Sequence, residues 1–356
     1  MKGEIQEMRK KHTVIMTILV LALITLASCS TGSNSSSTQK VRIIGTAKAV
    51  NMQTRATEDK FVIDSVNKVI VDGNNITDQL SPSDPSNVKD GMANVEFQAD
   101  VEVFTNTSFE AEAKPGFIFD EWDVLEPKGL SRKDKHLINR IEDWLEANNL
   151  EHSERLDSIP AEYITYLVAE YDRGFYVSLE DAATAGDGTK NNPFTVDELL
   201  NAISAERKIS ELTLVISGNN TSNLDKLVNG INRISSIDEL KLKGEDAELS
   251  TIPSGKGIKL SGFVFDELTI NDRSSEYEFK NCSFGKLIIE NVNEIELKRG
   301  SVNELQAVNA EEINIEDMTI DILDLSRMTS GEVEIEHSSW NEYIEPSGNA
   351  EVEIER

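Results

Sequence analysis

Glutamates recur at a regular spacing in the last third of this 356-residue chain, next to apolar residues that lie two positions apart. In a strand, such alternation points the carboxylates to one face and the apolar side chains to the other. If successive strands stack, like carboxylates lie about 4.8 Å apart and repel one another. The candidate binding face comprises Glu276, Glu278, Glu294, Glu296, Glu312, Glu332, Glu334, Glu351 and Glu353.

Two interpretations of these glutamates remain open. The first is a solvated face that prevents edge-to-edge aggregation of strands. The second is a strip that binds a divalent cation or a cationic ligand, although the sequence lacks the short Gly/Asp loops of dedicated calcium repeats. His136, His152 and His337 do not have metal-ligand spacing. We therefore expect no dedicated metal site and no resident cofactor.

The sequence shows no arrangement of residues typical of nucleophilic catalysis. There is no Gly-x-Ser-x-Gly motif, and Cys282 precedes Ser-Phe in a strand-like region with no evident histidine partner. We interpret Cys282 as a small buried residue rather than a reactive thiol. We predict no catalytic residue and no enzyme. The net charge of −29 at pH 7 also argues against a nucleic-acid-binding role.

The N-terminus has the features of an export signal. Residues 9–11 are Arg-Lys-Lys, residues 13–27 form an apolar run, and Leu-Ala-Ser precedes Cys29. This segment resembles the signal and lipobox of bacterial lipoproteins. The resemblance implies that residues 1–28 are a cleaved signal peptide and that Cys29 carries lipid, palmitate included. The lipid would then attach the protein to a membrane, since two or three acyl chains anchor durably.

Residues 29–40 are rich in Ser, Thr and Asn and predict a flexible tether. Ser30 stands where lipoproteins retained at an inner membrane often have aspartate. By resemblance, this favours the outer membrane or the cell surface.

Residues 41–177 predict a small β domain. Residues 109–122 contain a strand, a Pro-Gly turn, and then aromatic residues ending at Trp122. Together with a later strand at 164–171, this segment resembles the Listeria–Bacteroides repeat, also called the internalin B-repeat. The resemblance implies a β-grasp-like spacer or binding module that does not catalyse. Residues 131–150 depart from the family pattern, because their apolar spacing predicts a helical insertion.

Residues 178–356 predict a solenoid. A Gly-x-Gly-Thr…Asn-Pro-Phe-Thr segment ends at Thr195, which forms a capping box with Glu198 and begins a helix. This segment resembles the start of right-handed parallel β-helix proteins, in which a short helix caps the first coil. A strand, a second helix and another strand follow.

From Phe265 onward, two apolar patterns recur together every 18 to 20 residues. The first is Phe265/Leu268, Phe284/Leu287, Val302/Leu305, Ile320/Leu323 and Trp340/Tyr343. The second is Tyr277/Phe279, Ile295/Leu297, Ile313/Ile315, Val333/Ile335 and Val352/Ile354. No repeat can bury its apolar face alone, so neighbouring repeats must share one core. Leucine-rich repeats have a similar period, but we find no asparagine recurring in register at a bend.

The fold class expected is thus mainly β: a B-repeat-like domain with a helical insertion, followed by a parallel β-helix with a helical cap. We expect a non-catalytic binding or adhesion protein of the cell envelope, whose acidic face contacts a host protein, a matrix protein or a glycan. Two alternatives remain: a β-helix polysaccharide lyase or hydrolase, and a structural envelope component.

Overall fold

The computed structural model describes residues 36–50, 60–92, 94–104, 106–125, 132–148, 150, 153–181, 185–205, 209–245, 247 and 249–355. The predicted signal peptide 1–28 and Cys29 lie outside these residues, and their predicted roles stay predictions. The described chain is mainly β and includes two long parallel sheets. None of its described helices has both the length and the apolar character that a membrane span needs.

The N-terminal half consists of strands in two facing sheets, with one helix. Its elements are β1 (Ser37–Gly45), β2 (Ala47–Val50), β3 (Lys60–Ile63), β4 (Val66–Val71), β5 (Asn74–Asn75), a 3-10 turn (Thr77–Gln79), β6 (Ser81–Pro82), β7 (Val95–Val103), β8 (Asn106–Ala113), β9 (Phe117–Val124), α1 (Arg132–Ala147), β10 (Arg155–Pro160) and β11 (Leu167–Ser178). One sheet has the order β10-β8-β4-β5, and the other contains β6, β7, β1, β11 and β9. β2 and β3 form a separate pair.

Aromatic residues join the two facing sheets of this half. Phe109 of β8 meets Trp122 of β9 edge to face, with ring centroids 4.9 Å apart. The Tyr171 hydroxyl donates to the Ala111 carbonyl oxygen at 2.9 Å, also from one sheet to the other. Phe117 is only half-buried and lies under the guanidinium of Arg173. The shared core therefore depends on Phe109 and Trp122 rather than on Phe117.

A helix occupies the predicted insertion. In α1, Ile138, Ile141 and Leu145 are buried, as their spacing predicts. Trp144 is partly buried and packs edge to face on Tyr163, with ring centroids 5.7 Å apart.

The predicted tether is shorter than expected, because β1 begins at Ser37. Residues 37–40 have little apolar surface, and for that reason their sequence resembles a linker. Their backbone nevertheless pairs in antiparallel register with β7, from Ser37 opposite Val103 to Lys40 opposite Asp100. Backbone pairing orders them without side-chain burial.

The C-terminal half continues the sheet of the N-terminal half through β11. Its elements are β12 (Phe194–Thr195), α2 (Val196–Ala205), β13 (Glu211–Ser217), α3 (Thr221–Asn232), β14 (Glu239–Glu245), β15 (Gly257–Ser261), β16 (Val264–Ile270), β17 (Glu276–Lys280), β18 (Ser283–Glu290), β19 (Glu294–Lys298), β20 (Ser301–Val308), β21 (Glu312–Glu316), β22 (Thr319–Asp324), β23 (Glu332–Glu336), β24 (Ser339–Ile344) and β25 (Glu351–Glu355). Val168 of β11 pairs with β1, whereas Gly174 pairs with β13. The predicted boundary at 177/178 therefore lies at the end of a strand that both halves share.

Two parallel sheets run through the C-terminal half. The first, here called the long sheet, has the order β11-β13-β14-β15-β17-β19-β21-β23-β25, and the second sheet has the order β16-β18-β20-β22-β24. From β15 to β23, each strand of the long sheet is followed along the chain by one strand of the second sheet. We call such a pair a row.

The register of the rows is the one that the sequence repeat predicts. Leu268 pairs with Leu287, which pairs with Leu305 in the second sheet. Tyr277 pairs with Ile295 in the long sheet. These side chains are at most 4% exposed and belong to one core, which also includes buried residues of α2 and α3.

The helix signals are likewise confirmed. The Thr195 N–H donates to Glu198 Oε2 at 2.9 Å, and the Glu198 N–H donates back to Thr195 Oγ1 at 3.4 Å. This capping box begins α2 as the spacing predicts. In α3, the Asn220 side chain accepts hydrogen bonds from the Ser222 and Asn223 N–H groups.

The bends between strands correct one sequence observation. Asn291 and Asn309 lie 18 positions apart at equivalent bends, and both have left-handed backbone with φ of 50° and 52°. Asparagine therefore does recur in register, and it adopts this conformation more readily than most residues. At the other bend, Arg299, Asp317 and His337 adopt φ near 50° as well, so residue type alone does not reveal the position.

Because each row is buried only against its neighbours, removing one inward side chain should destabilise the rows around it. We expect Leu305→Ala, at a fully buried position in β20, to lower the free energy of unfolding by about 2–5 kcal/mol. Asn303→Ala, at an exposed position of the same strand, should change it by no more than about 0.5 kcal/mol. Urea denaturation followed by circular dichroism measures both, and equal losses would contradict the shared core.

Candidate functional site

The outer face of the long sheet brings together all nine glutamates of the candidate binding face. Strand alternation points the apolar residues of each row inward and the carboxylates outward. One column contains Glu276, Glu294, Glu312, Glu332 and Glu351, and the next contains Glu278, Glu296, Asn314, Glu334 and Glu353. These are the two columns that the sequence predicts.

A third column lies beside them and was missing from the sequence-based candidate face. It contains Lys280, Lys298, Glu316, Glu336 and Glu355. The alternation of inward and outward residues identifies this third column, because its members lie two positions beyond those of the second column in each strand. Three more carboxylates therefore extend the acidic face.

Stacking of like charges changes the acidity of this face. Partial burial, and then repulsion by Glu312, Glu276 and Glu296, raise the pKa of Glu294 above its ordinary value. The Lys298 ammonium offsets part of this repulsion, at 2.7 Å from Glu296 and 3.7 Å from Glu316. Because neighbouring carboxylates repel one another here, a cation that binds beside them lowers their electrostatic energy.

The charge of the outer face reverses along the long sheet. In the second column, Lys241 of β14 pairs with Lys259 of β15, which pairs with Glu278 of β17. In the third column, Lys243 pairs with Ser261, which pairs with Lys280. In these two columns the face is therefore basic next to the N-terminal half and acidic toward β25, whereas the first column also carries Glu211 and Glu239 next to the N-terminal half.

The basic end of the face is joined to the N-terminal half by ion pairs. The Lys241 ammonium lies 2.6 Å from Asp120 Oδ2 and 2.7 Å from Asp172 Oδ2, and the Lys243 ammonium lies 2.5 Å from Asp120 Oδ1. Asp120 is 5% exposed and belongs to β9, whereas both lysines belong to β14. We call these four residues the junction cluster.

Ion pairing favours the charged forms of Asp120 and Lys241 in the junction cluster, whereas burial and the nearby Asp120 carboxylate raise the pKa of Asp172. Burial opposes ionisation of Asp120, but attraction to Lys243 and Lys241 outweighs it and holds the pKa of Asp120 well below its ordinary value. Burial also opposes the charge of Lys241, yet Asp120 and Asp172 raise its pKa above the ordinary value. Such a pair is costly to break on one side, because the remaining charge stays buried.

Glu170 lies beside the junction cluster, among several carboxyl groups. Burial, and then repulsion by Asp123, Asp120 and Glu121, raise the pKa of Glu170 from 4.5 to about 7. The charge of Glu170 therefore changes close to neutral pH.

Clefts lie where the N-terminal half meets the outer face, which the sequence did not predict. One cleft of about 440 Å³ is lined by Phe119, Arg155, Tyr176, Lys190 and Asn281, among others. A second, of about 340 Å³, is lined by residues that include Phe117, Asp172 and Arg173. The hollow on the glutamate columns is smaller, about 160 Å³. The clefts at the junction therefore have larger volumes for a ligand than the hollow on the glutamate columns.

The structure also gives the positions of Cys282 and of two of the three histidines that the sequence analysis considered. Cys282 is 2% exposed, as predicted, and burial raises the pKa of its thiol to about 11. His136 and His337 are exposed, and His152 lies outside the described residues. Within the part of the chain that the structure describes, no group of three or more His, Cys, Asp or Glu side chains is arranged to hold a metal ion.

Comparisons with known proteins do not add a family. No protein-family model matches the chain, no curated protein matches it, and no solved structure matches it. The geometry of the outer face and the sequence of the N-terminus are therefore the features that point to a function.

The environment of Glu170 predicts a pH dependence of stability. Its folded-state pKa of about 7 exceeds the ordinary 4.5, so the folded protein holds more protons between these pH values than the unfolded chain. The free energy of unfolding should therefore fall as the pH rises through this window. We expect Glu170→Gln to raise the urea midpoint at pH 8 and to leave it unchanged near about pH 4, where the carboxyl group is protonated in both states.

Glu162→Gln is the matched control, because Glu162 is exposed in the same half of the protein. It should leave the urea midpoint nearly unchanged at pH 8. If Glu170→Gln behaves like Glu162→Gln at that pH, the repulsion assigned to the surroundings of Glu170 is wrong.

Proposed function

We propose that this protein is a lipid-anchored, non-catalytic binding protein of the bacterial cell envelope, whose acidic face contacts a host protein, a matrix protein or a glycan. The observation that carries the proposal is the pair of glutamate columns, which the strand register stacks on one open face. Stacked carboxylates repel, so a partner that brings positive charge gains free energy by binding there. On a glycan, amino groups or bound cations would supply that charge.

The proposed architecture has two parts. We propose that the rows form a solenoid of the parallel β-helix type and that α2 and α3 are its helical cap. Support comes from the parallel order of both sheets and from the core that both helices share with the rows. The likeness of the N-terminal half to the internalin B-repeat stays a prediction, supported by the turn at Gly116 and by the buried Trp122.

Binding fits the outer face better than catalysis does. A polysaccharide lyase on such a face would need a base near bound calcium, but Lys280 and Lys298 lie beside carboxylates, with Lys298 paired to Glu296 and Glu316. In the cleft of about 440 Å³, Lys243 is tied to Asp120 in an ion pair. An enzyme therefore stays the alternative to a binding protein. Release of reducing or unsaturated sugars from polysaccharides would support that alternative.

Neutralising the columns tests the binding proposal. We expect the double variant Glu294→Gln/Glu312→Gln to bind a cationic matrix protein at least about fivefold more weakly, on the order of 1 kcal/mol for two exposed carboxylates. Binding of the unchanged protein should also weaken as salt rises, because exposed charges are screened. An array of immobilised matrix proteins and glycans, read by labelled protein, measures both effects.

The matched control is Glu267→Gln/Glu342→Gln, which removes two exposed glutamates from the second sheet. This control should leave binding unchanged. If both double variants lose the same affinity, net charge rather than the columns is responsible, and the proposed face is wrong.

The anchor has its own test. We expect Cys29→Ser to prevent cleavage of the signal peptide before residue 29 and to leave the protein without acyl groups. The reason is that the Cys29 thiol is the attachment point that the lipobox resemblance implies. In bacterial membranes extracted with detergent, mass spectrometry of the unchanged protein should show a first residue heavier by two or three acyl chains. An unmodified Cys29 in the mature protein would contradict the anchor.

A further inference from the structure

The cleft of about 440 Å³, here called the junction cleft, falls in the volume range of small-molecule sites, about 300–1,000 Å³. Its floor is the outer face of the long sheet. Tyr176 of β11 pairs there with Val215 of β13. Val215 pairs with Lys243 of β14, which pairs with Ser261 of β15. Three strand spacings give this floor a length of about 14 Å, which suits a ligand of several units better than a single ion.

The N-terminal half supplies the wall of the junction cleft, from residues that lead into β10 and from the loop before β12. The Trp122 indole N–H donates to the Ser153 carbonyl oxygen at 2.7 Å, and the Tyr176 hydroxyl donates to Glu154 Oε1 at 3.1 Å. The Lys190 ammonium lies over the Tyr176 ring, 5.9 Å from its centroid. These contacts fix the wall in the free protein, which reduces the entropy that a ligand loses to binding.

Positive side chains collect around the junction cleft. A smaller hollow of about 140 Å³ adjoins it and shares Asp120, Lys243 and Ser261 with it. The cationic residues that line the two are Arg155, Lys190, Lys241, Lys243, Lys259 and Lys280. Only four carboxylates line them, although the chain as a whole has a net charge of −29. The surroundings of the cleft are thus opposite in sign to the rest of the protein.

The carboxylates inside the junction cleft already have partners in the protein. Asp120 is paired with Lys243, and Glu154 accepts the hydrogen bond from Tyr176. Arg155 is paired with Asp157 and Glu110 as well, but a guanidinium has five N–H donors and this side chain is 59% exposed. A ligand that enters the cleft therefore meets donors and positive charge more than acceptors.

The junction cleft favours a saccharide over an acidic peptide. β13, β14 and β15 are hydrogen-bonded along both edges, and the Tyr176 N–H donates to the Gly188 carbonyl oxygen at 2.9 Å. An extended peptide consequently finds no open edge on this floor to which its main chain could pair. Ser153, Ser261 and Asn281 line the cleft instead, and their hydroxyl and amide groups match the hydroxyls of a sugar.

We propose that the junction cleft binds an acidic saccharide, whose carboxylates lie against Arg155, Lys190 and Lys243. Its hydroxyls then bond to the side chains of Ser261 and Asn281. Charge-assisted hydrogen bonds supply most of the affinity. The cleft is separate from the glutamate columns and takes a ligand of the opposite charge, so this inference goes beyond the proposed function and stands without it.

The glutamate columns do not keep an anion out of the junction cleft. Glu296 in β19 lies three strands from Lys243, about 14 Å at the ordinary strand spacing. Exposed charges are largely screened beyond about 8 Å at physiological salt. Of the columns, Glu278 lies closest, and Lys259 is its register partner. The local charge of the cleft therefore decides which ligand enters.

The test uses the detergent-solubilised full chain and a fluorescently labelled tetrasaccharide of β-1,4-linked glucuronic acid. We expect saturable binding, measured by fluorescence anisotropy. Cellotetraose, which is the same sugar chain without carboxylates, should compete at least about tenfold more weakly, because it makes no charged hydrogen bonds. A tetraglutamate peptide, which has the carboxylates without the sugar hydroxyls, should also compete more weakly than the unlabelled glucuronate.

A pair of double variants locates the saccharide. Arg155→Gln/Lys190→Gln removes two exposed cations from the wall and should weaken binding at least about tenfold. The matched control, Lys226→Gln/Arg233→Gln, removes the same two residue types from exposed positions in α3 and at its end, and should leave binding unchanged. If the wall variant fails to fold, competition by cellotetraose on the unchanged protein still decides the question.

The outcomes separate this inference from the proposed function. No saturable binding of the glucuronate, equally strong competition by cellotetraose, or equal losses in both double variants overturns the saccharide site. Stronger competition by tetraglutamate overturns it too and assigns the cleft to an acidic peptide. Glu294→Gln/Glu312→Gln should keep the saccharide affinity, so a loss of matrix binding in that variant tests the columns alone.

Discussion

Each row of the C-terminal half buries its apolar side chains only against the rows on either side of it, and this dependence governs the rest of the structure. It fixes the register, because a slip of one residue would turn Leu305 and its neighbours outward and the glutamates inward. The same register that joins the core stacks the carboxylates of Glu276, Glu294 and Glu312 on the opposite face. The acidic face is thus a direct result of how the core is built. Burial of the apolar side chains on the inner face of the same strands offsets the repulsion among the carboxylates.

The junction cluster shows how the two halves are held in one arrangement. β11 supplies a covalent and hydrogen-bonded connection, since it pairs with β1 and β9 along its first part and with β13 along its second. The ammonium groups of Lys241 and Lys243 then join β14 to Asp120 of β9. Because Asp120 is almost fully buried, its orientation depends on these lysines. The clefts beside the cluster owe their shape to this arrangement.

The sequence predicted the rows well because a period of 18 to 20 residues is a long-range signal that each repeat confirms. It predicted the helices from capping and apolar spacing, as at Thr195 and Ile141. It did not predict the junction, since no local pattern reveals that Lys241 meets Asp120, which lies 121 positions away. It also placed residues 37–40 in a tether, because pairing through the backbone leaves no mark on polar side chains. The bend at Asn291 and Asn309 was missed because asparagine recurs there only twice, and because Arg299, Asp317 and His337 adopt the same left-handed backbone at the other bend.

The direction of β1 has a mechanical consequence. β1 begins at Ser37, close to the proposed anchor, and runs parallel to β11, whose far end leads into the rows. A pull between the membrane and a partner held at the rows would draw β1 and β11 in opposite directions along their shared axis. Their hydrogen bonds would then be loaded in shear, all at once, rather than unzipped one by one. With the proposed anchor in place, the pairing of β1 with β11 would therefore carry such a pull along the strands rather than across them.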